Sequence, residues 1–111
     1  MTEFEQYEQS LRDDLQMHEY AAKAAGYWDK EFDCYSGSVN WKPRHDDGDA
    51  FRLAARLKLQ VSFGTFEENE CVCYRFGKPA TFVTGTNIAA AAREAIFLTA
   101  VEIGKEMEGE K

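Results

Sequence analysis

The stretch Trp41–Leu57 limits what this chain can fold into more than any other part of it. Pro43 fixes its own φ and turns Lys42 away from helix, so the chain enters this stretch extended. Asp46 has the type and position of an N-cap, whose carboxylate accepts an orphan N–H of a first helical turn. Asp47 and Asp49 follow at the positive end of that helix dipole. Asp49, three residues beyond Asp46, gives the spacing of a capping box with a shorter acid. Ala50, Leu53, Ala54 and Leu57 recur at helical spacing as a buried stripe, while Arg52 and Arg56 share another face. A helix with so small a stripe lies close against a sheet.

The flanks supply the other layers. Thr2-Glu3-Phe4-Glu5 reads as a capping box that opens a helix, and Phe4, Tyr7, Leu11, Leu15, His18, Ala22 and Ala25 carry it at spacings of three and four. Gly26 suits the left-handed position that ends it. Tyr27-Trp28 and Phe32–Tyr35 are β-prone, with Asp29-Lys30 a turn between them. Ser36-Gly37-Ser38 reads as a second turn, and Val39–Trp41 as extended chain. Beyond residue 57 the period becomes two: Leu59, Val61 and Phe63 alternate with Gln60 and Ser62, and Val72, Tyr74 and Phe76 with Cys71, Cys73 and Arg75. Gly64 marks a bulge, Glu67–Glu70 a hairpin loop, Gly77-Lys78-Pro79 a turn and Thr81–Val83 a short strand. Asn87 caps a last helix with Ile88, Ala92, Ala95, Ile96, Thr99, Ile103 and Met107 on its buried face. Gly104 inside that helix costs about 1 kcal/mol relative to alanine. The fold class expected is α+β: a small antiparallel sheet of three to five strands packed with three helices, in the order α-β-β-α-β-β-β-α. Residues 1–111 form a single domain, with an acidic N-terminal helix over 1–26, sheet and helices over 27–107, and a loose tail over 108–111.

Composition narrows the functions. A net charge of −7 disfavours nucleic acid and anionic membrane as direct partners. The imbalance is local: residues 1–33 hold nine acids and three bases, whereas residues 34–66 hold five bases and three acids. The three cysteines Cys34, Cys71 and Cys73 do not make a secreted disulfide framework. With neither a membrane span nor a leader pattern in the sequence, a reducing cytoplasm is the expected setting.

No constellation carries recognisable catalysis. Asp46-Asp47-Gly48-Asp49 lacks the alternating ligand spacing of a calcium loop and reads as a helix cap. Cys71-x-Cys73, His18, His45 and Cys34 lack the spacings of a zinc site. Cys34 and His45 are nucleophile and base by type only, with no nucleophile elbow or phosphate loop around them. His18 falls on an apolar stripe and reads as a packing residue. The helix–three strands–helix order matches a double-stranded RNA-binding domain, but Asn87–Arg93 supplies one arginine where such a domain places several lysines. Arg44, Arg52 and Arg56 with Trp41 form the one basic surface candidate, suited to a protein hot spot or a nucleotide phosphate. Glu5, Glu8, Asp13 and Asp14 on the first helix form the acidic one. No catalytic residue, metal or cofactor is expected.

The segment Trp41-x-Pro43-x-x-Asp46-Asp47-Gly48-Asp49-Ala50-x-Arg52-Leu53-Ala54 resembles a pattern found in small uncharacterised proteins of tailed bacteriophages and prophages, the phage ABA sandwich group. Tyr20–Gly26 resembles their opening helix, and Arg93–Gly104 their closing one. Lys42 stands where the pattern has asparagine, and Met1–Gln16 lies outside it. The resemblance implies a phage protein in the host cytoplasm and brings no catalytic residue. The function expected is that of a small acidic accessory protein that binds a host or phage protein, with inhibition of a nucleic-acid-processing or defence complex as the specific form. A nucleotide-like ligand held by the arginines, or a homodimer formed through sheet aromatics, is the alternative.

Overall fold

The computed structural model describes residues 2–29, 34–35, 41–64 and 67–109. Helix α1 runs from Glu3 to Ala25. Thr2 caps it by accepting the Glu5 N–H at 3.2 Å, and Gly26 ends it at φ 78°, where its N–H meets the carbonyls of Ala22 and Lys23. Helix α2 spans Asp47–Leu57, with Asp46 accepting the Asp49 N–H at 2.8 Å. Asp49 does not reach back to Asp46 as a capping box would. Its carboxylate accepts the Lys42 N–H at 2.8 Å and pairs with Arg52 at 2.7 Å, so it ties the extended entry to the first turn. Lys58 ends α2 at φ 56°, a left-handed conformation held by a residue with a side chain.

Three strands follow, β1 (Gln60–Phe63), β2 (Glu70–Tyr74) and β3 (Thr81–Thr84), paired antiparallel in that order. Val61, Cys73 and Thr81 lie in one cross-strand row, and Phe63, Cys71 and Val83 in the next. Both rows face helix α3 (Ile88–Gly109), which Asn87 caps by accepting the Ala90 N–H at 2.8 Å. Ser62, Val72 and Phe82 form a row on the opposite face, where Val72 is buried.

The expected order α-β-β-α-β-β-β-α is corrected. The packed body is α-α-β-β-β-α around a three-stranded sheet, and the described residues between Tyr27 and Tyr35 add no strand to it. Trp28–Asp29 and Cys34–Tyr35 make a separate antiparallel ladder two residues long. β-prone aromatics were enough to pair locally, but two-residue strands are too short to carry a packed face. Asp29 lies in that ladder and not in a turn. The turn at Ser36–Ser38 and most of Val39–Trp41 lie outside the described residues. Glu108 and Gly109 belong to α3 and not to a tail, and Lys23 of α1 holds Glu108 at 2.6 Å.

Helix α3 is the centre of the molecule. Its sequence is apolar nearly all round, as a helix covered on several sides must be. The sheet covers one side, and α1 and α2 the others, with Ala91, Ala95, Phe97, Ala100 and Val101 buried. Pairs between Asp14 and Glu94 through Arg44, between His18 and Phe97, and between Lys23 and Glu108 show that α1 and α3 run in the same direction. The two helices touch most closely at Gly104. A Cβ there would fall on the Tyr20 carbonyl and within 2.9 Å of the Tyr20 Cα. Ala21, Ala22, Ala25 and Ala100 keep the crossing shallow. Among the described residues no helix is long and apolar enough to cross a membrane.

Candidate functional site

The basic candidates do not converge. Arg44, half-buried in the turn after Pro43, donates to Asp14 at 2.5 Å and to Glu94 at 2.7 Å, with its guanidinium 5.0 Å from the Phe97 ring centre. It clamps α1 to α3. Arg52 is on the exposed face of α2 and pairs with Asp49 at 2.7 Å and Asp46 at 3.9 Å. The Asp49 carboxylate holds its pKa above the ordinary guanidinium value. Arg56 lies 5.1 Å over the Tyr27 ring and donates Nε–H to the Ala25 carbonyl, an unpaired group at the end of α1. Trp41 packs edge-on to Tyr27 at 5.5 Å, against the core. Arg44 and Arg56 thus join the entry turn and α2 to α1 and α3 with their donors turned into the fold, while Arg52 stays on the surface of α2.

The thiols and imidazoles stay apart too. Cys71 and Cys73 are buried under α3. Burial pushes the Cys71 thiol up to about 11, with Cys73 and Glu70 adding to it. Burial raises Cys73 as well, partly offset by its hydrogen bond with Thr99. Both therefore stay protonated and poorly nucleophilic near neutrality. His18 Nδ1 lies 2.8 Å from the Asp14 carbonyl, and its ring sits 4.7 Å from Phe97, a packing position. His45 is exposed. The Cys34 side chain lies outside the described residues. Among the described residues, no three His, Cys, Asp or Glu side chains are grouped to hold a metal ion.

The acidic candidates share a different setting. Residues 3–13 of α1 are exposed all round, apart from half-buried Glu8. Glu8 pairs with Arg12 at 3.7 Å, Asp13 accepts from Gln9 at 2.9 Å, and Glu5 is exposed. The apolar stripe continues through this segment uncovered: Phe4, Tyr7, Leu11 and Leu15 are 68%, 64%, 47% and 70% exposed. They extend the line that His18, Ala22 and Ala25 turn toward α3 lower on the same helix. The spacing shows the stripe as one apolar face of an amphipathic helix, and only the arrangement of the helices reveals where cover stops. Beside it, Gln6, Gln9, Ser10, Asp13, Asp14, Met17 and Arg44 outline an open polar depression of about 430 Å³.

A second surface lies at α2 and the sheet edge. Between α2, α3 and strand β1 runs a groove of about 500 Å³, with Ala50, Ala54, Ala92 and Ile96 inside and Phe51 and Phe63 at its mouth. The sequence signal was present in Phe51, which falls outside the Ala50–Leu53–Ala54–Leu57 stripe yet is aromatic. No family model matches the chain, nor does any curated protein or solved structure.

Proposed function

We propose that the chain is a protein-binding accessory factor whose contact surface is the N-terminal half of α1. The observation that carries this reading is the row Phe4, Tyr7, Leu11 and Leu15, each about half exposed or more at consecutive helical spacings. Single exposed apolar residues need no explanation, but a contiguous row rimmed by polar groups is the composition of an interaction site. The rim sets the sign of the partner. Residues 3–14 hold five acids, Glu3, Glu5, Glu8, Asp13 and Asp14, against Arg12 alone. A second α1 would bring like charges together. A groove or helix with apolar centre and lysine- or arginine-rich edges is complementary to it. The resemblance to phage proteins suggests a host protein as that partner, and a basic, nucleic-acid-handling or defence surface is the kind of target that such a helix blocks.

Titration with an amphipathic helical peptide, leucine on one face and lysine on the other, tests the chemistry. Binding is expected at low salt, weakening as ionic strength rises, and lost in the Leu11→Glu/Leu15→Glu double variant. Binding that ignores both salt and the double substitution would overturn the reading. So would no binding at all.

A further inference from the structure

The apolar groove lies beside the β1 edge of the sheet, and that edge carries the hydrogen-bonding groups a further strand needs. Strand β1 is an edge of the sheet, with β2 as its one partner among the described residues. The Gly64 N–H donates to the Glu70 carbonyl at 2.7 Å. In an antiparallel ladder the hydrogen-bonded pairs alternate. Gly64, Ser62 and Gln60 therefore turn their backbone groups toward β2, and Val61 and Phe63 turn theirs outward. The side chains of these same two residues face the groove. Among the described residues the edge also lacks the usual defences. Gln60-Val61-Ser62-Phe63 has no charge, no proline and no bulge. A strand laid alongside at about 4.8 Å would drop alternate side chains between Phe63 and α2, onto Ala54 and Ile96.

We infer that this groove and the β1 edge together form a strand-addition site for an extended, apolar-alternating peptide segment of another protein. Charge fits an uncharged segment. The ionic groups on the groove wall, Asp47 and Arg93, neutralise one another at 2.5 Å. A second copy of the chain fits poorly. It would bring its own α2, joined to the same strand through Lys58 and Leu59 alone, up against the pairing edge. Phe51 and Phe63, 72% and 60% exposed, together offer on the order of 250 Å². That is well below the roughly 600 Å² per partner, about 1,200 Å² in total, at which stable protein pairs begin. A short segment gains affinity from main-chain hydrogen bonds instead, with the alternate pockets giving selectivity.

The probe is a blocked peptide of about nine residues alternating leucine with serine between terminal lysines. Its control is the same peptide with every backbone amide N-methylated, which keeps the apolar side chains and removes the strand donors in either orientation. With the first peptide at about 1 mM, amide shifts are expected along Leu59–Gly64. Hydrogen exchange of the Val61 and Phe63 amides should slow by about tenfold or more. The control should leave both unchanged. Phe51→Glu, at an exposed position, should abolish the effect while the spectrum stays folded; Val61→Pro, which removes an outward N–H, should weaken it. Equal response to both peptides would make the groove a plain apolar cleft and overturn the inference. No response to either would overturn it, as would concentration-dependent dimerisation that Phe51→Glu abolishes. None of these readouts involves α1, so this site and the acidic helix stand or fall separately.

Discussion

Gly104 sets how close α1 and α3 come, because a methyl group at that position would overlap the Tyr20 backbone and not a side chain that can turn aside. Its role was hidden in the sequence, where a mid-helix glycine reads as a small propensity loss; the reason for it sits on another helix. Gly104→Ala gains helix propensity and still should destabilise the fold by about 3 kcal/mol, the upper range for overpacking. Gly109→Ala, with nothing within 4 Å, should be neutral or slightly stabilising. Urea denaturation that ranks the two the other way would refute the close crossing. The thiols give a second test at this scale. Cys71 and Cys73 are buried and held protonated, so peptide-resolved alkylation near pH 8 should modify both only as fast as the sheet opens, accelerating sharply in denaturant. Prompt labelling in the native protein would mean that α3 does not cover them.

Element boundaries were legible wherever a cap writes them in local chemistry. Thr2, Asp46 and Asn87 each accept an N–H three residues on, and Gly26 takes the left-handed position its residue type favours. The burial of α3 on several sides was not legible, because periodicity assigns one buried face. Nor was the demotion of the described residues between Tyr27 and Tyr35 from the sheet, since β-prone side chains do not say which partner strand they will find. At Lys58 the local chemistry is unfavourable: an L-residue in the left-handed region costs about 1 kcal/mol. Lys58→Gly should recover roughly that amount in denaturant titration, and a loss would mean that the Lys58 side chain contributes packing that offsets the strain. Acid sensitivity belongs to this scale as well. Arg75 donates to both oxygens of Glu106 at 2.7 and 2.8 Å, tying the end of β2 to α3, and this holds the Glu106 carboxyl below its ordinary 4.5. Burial alone would raise Asp49, yet the Lys42 N–H and Arg52 outweigh it and leave it lowered. A depressed folded pKa contributes stability that is full above the unfolded value and lost as pH falls through the folded one. Stability should therefore fall below about pH 4.5. Glu106→Gln and Asp49→Asn should each flatten that acid limb while lowering the plateau near neutrality. An unchanged slope would show that neither pair forms.

At the scale of the whole molecule, α1 is two structures in one helix. Its second half is a wall of the core, with Ala21, Ala22 and Ala25 buried against α3 and Lys23 bridging Glu19 and Glu108. Its first half has the same apolar period and almost no cover. The sequence could announce the stripe but not this division, because covered and uncovered turns follow one pattern. The parallel run of α1 and α3 supplies the reason: cover begins where Arg44 bridges Asp14 and Glu94, and turns before that extend past the contact. Burial drives folding in proportion to the area removed from water, so residues that bury little contribute little. Removal of residues 1–10 should then shift the thermal midpoint by no more than about 4 °C, on the order of 1 kcal/mol for a domain of this size, with the sheet and α2 spectra unchanged. The same deletion should eliminate binding of the lysine–leucine helical peptide and leave the response of Val61 and Phe63 to the strand peptide intact. A large stability loss would mean that the exposed row is held against the body, and the row could not then be a vacant contact surface. A small loss with peptide binding retained would place that contact elsewhere. Stability preserved, helix binding gone and strand binding kept is the one combination in which α1 is a scaffold wall at one end and a recognition element at the other.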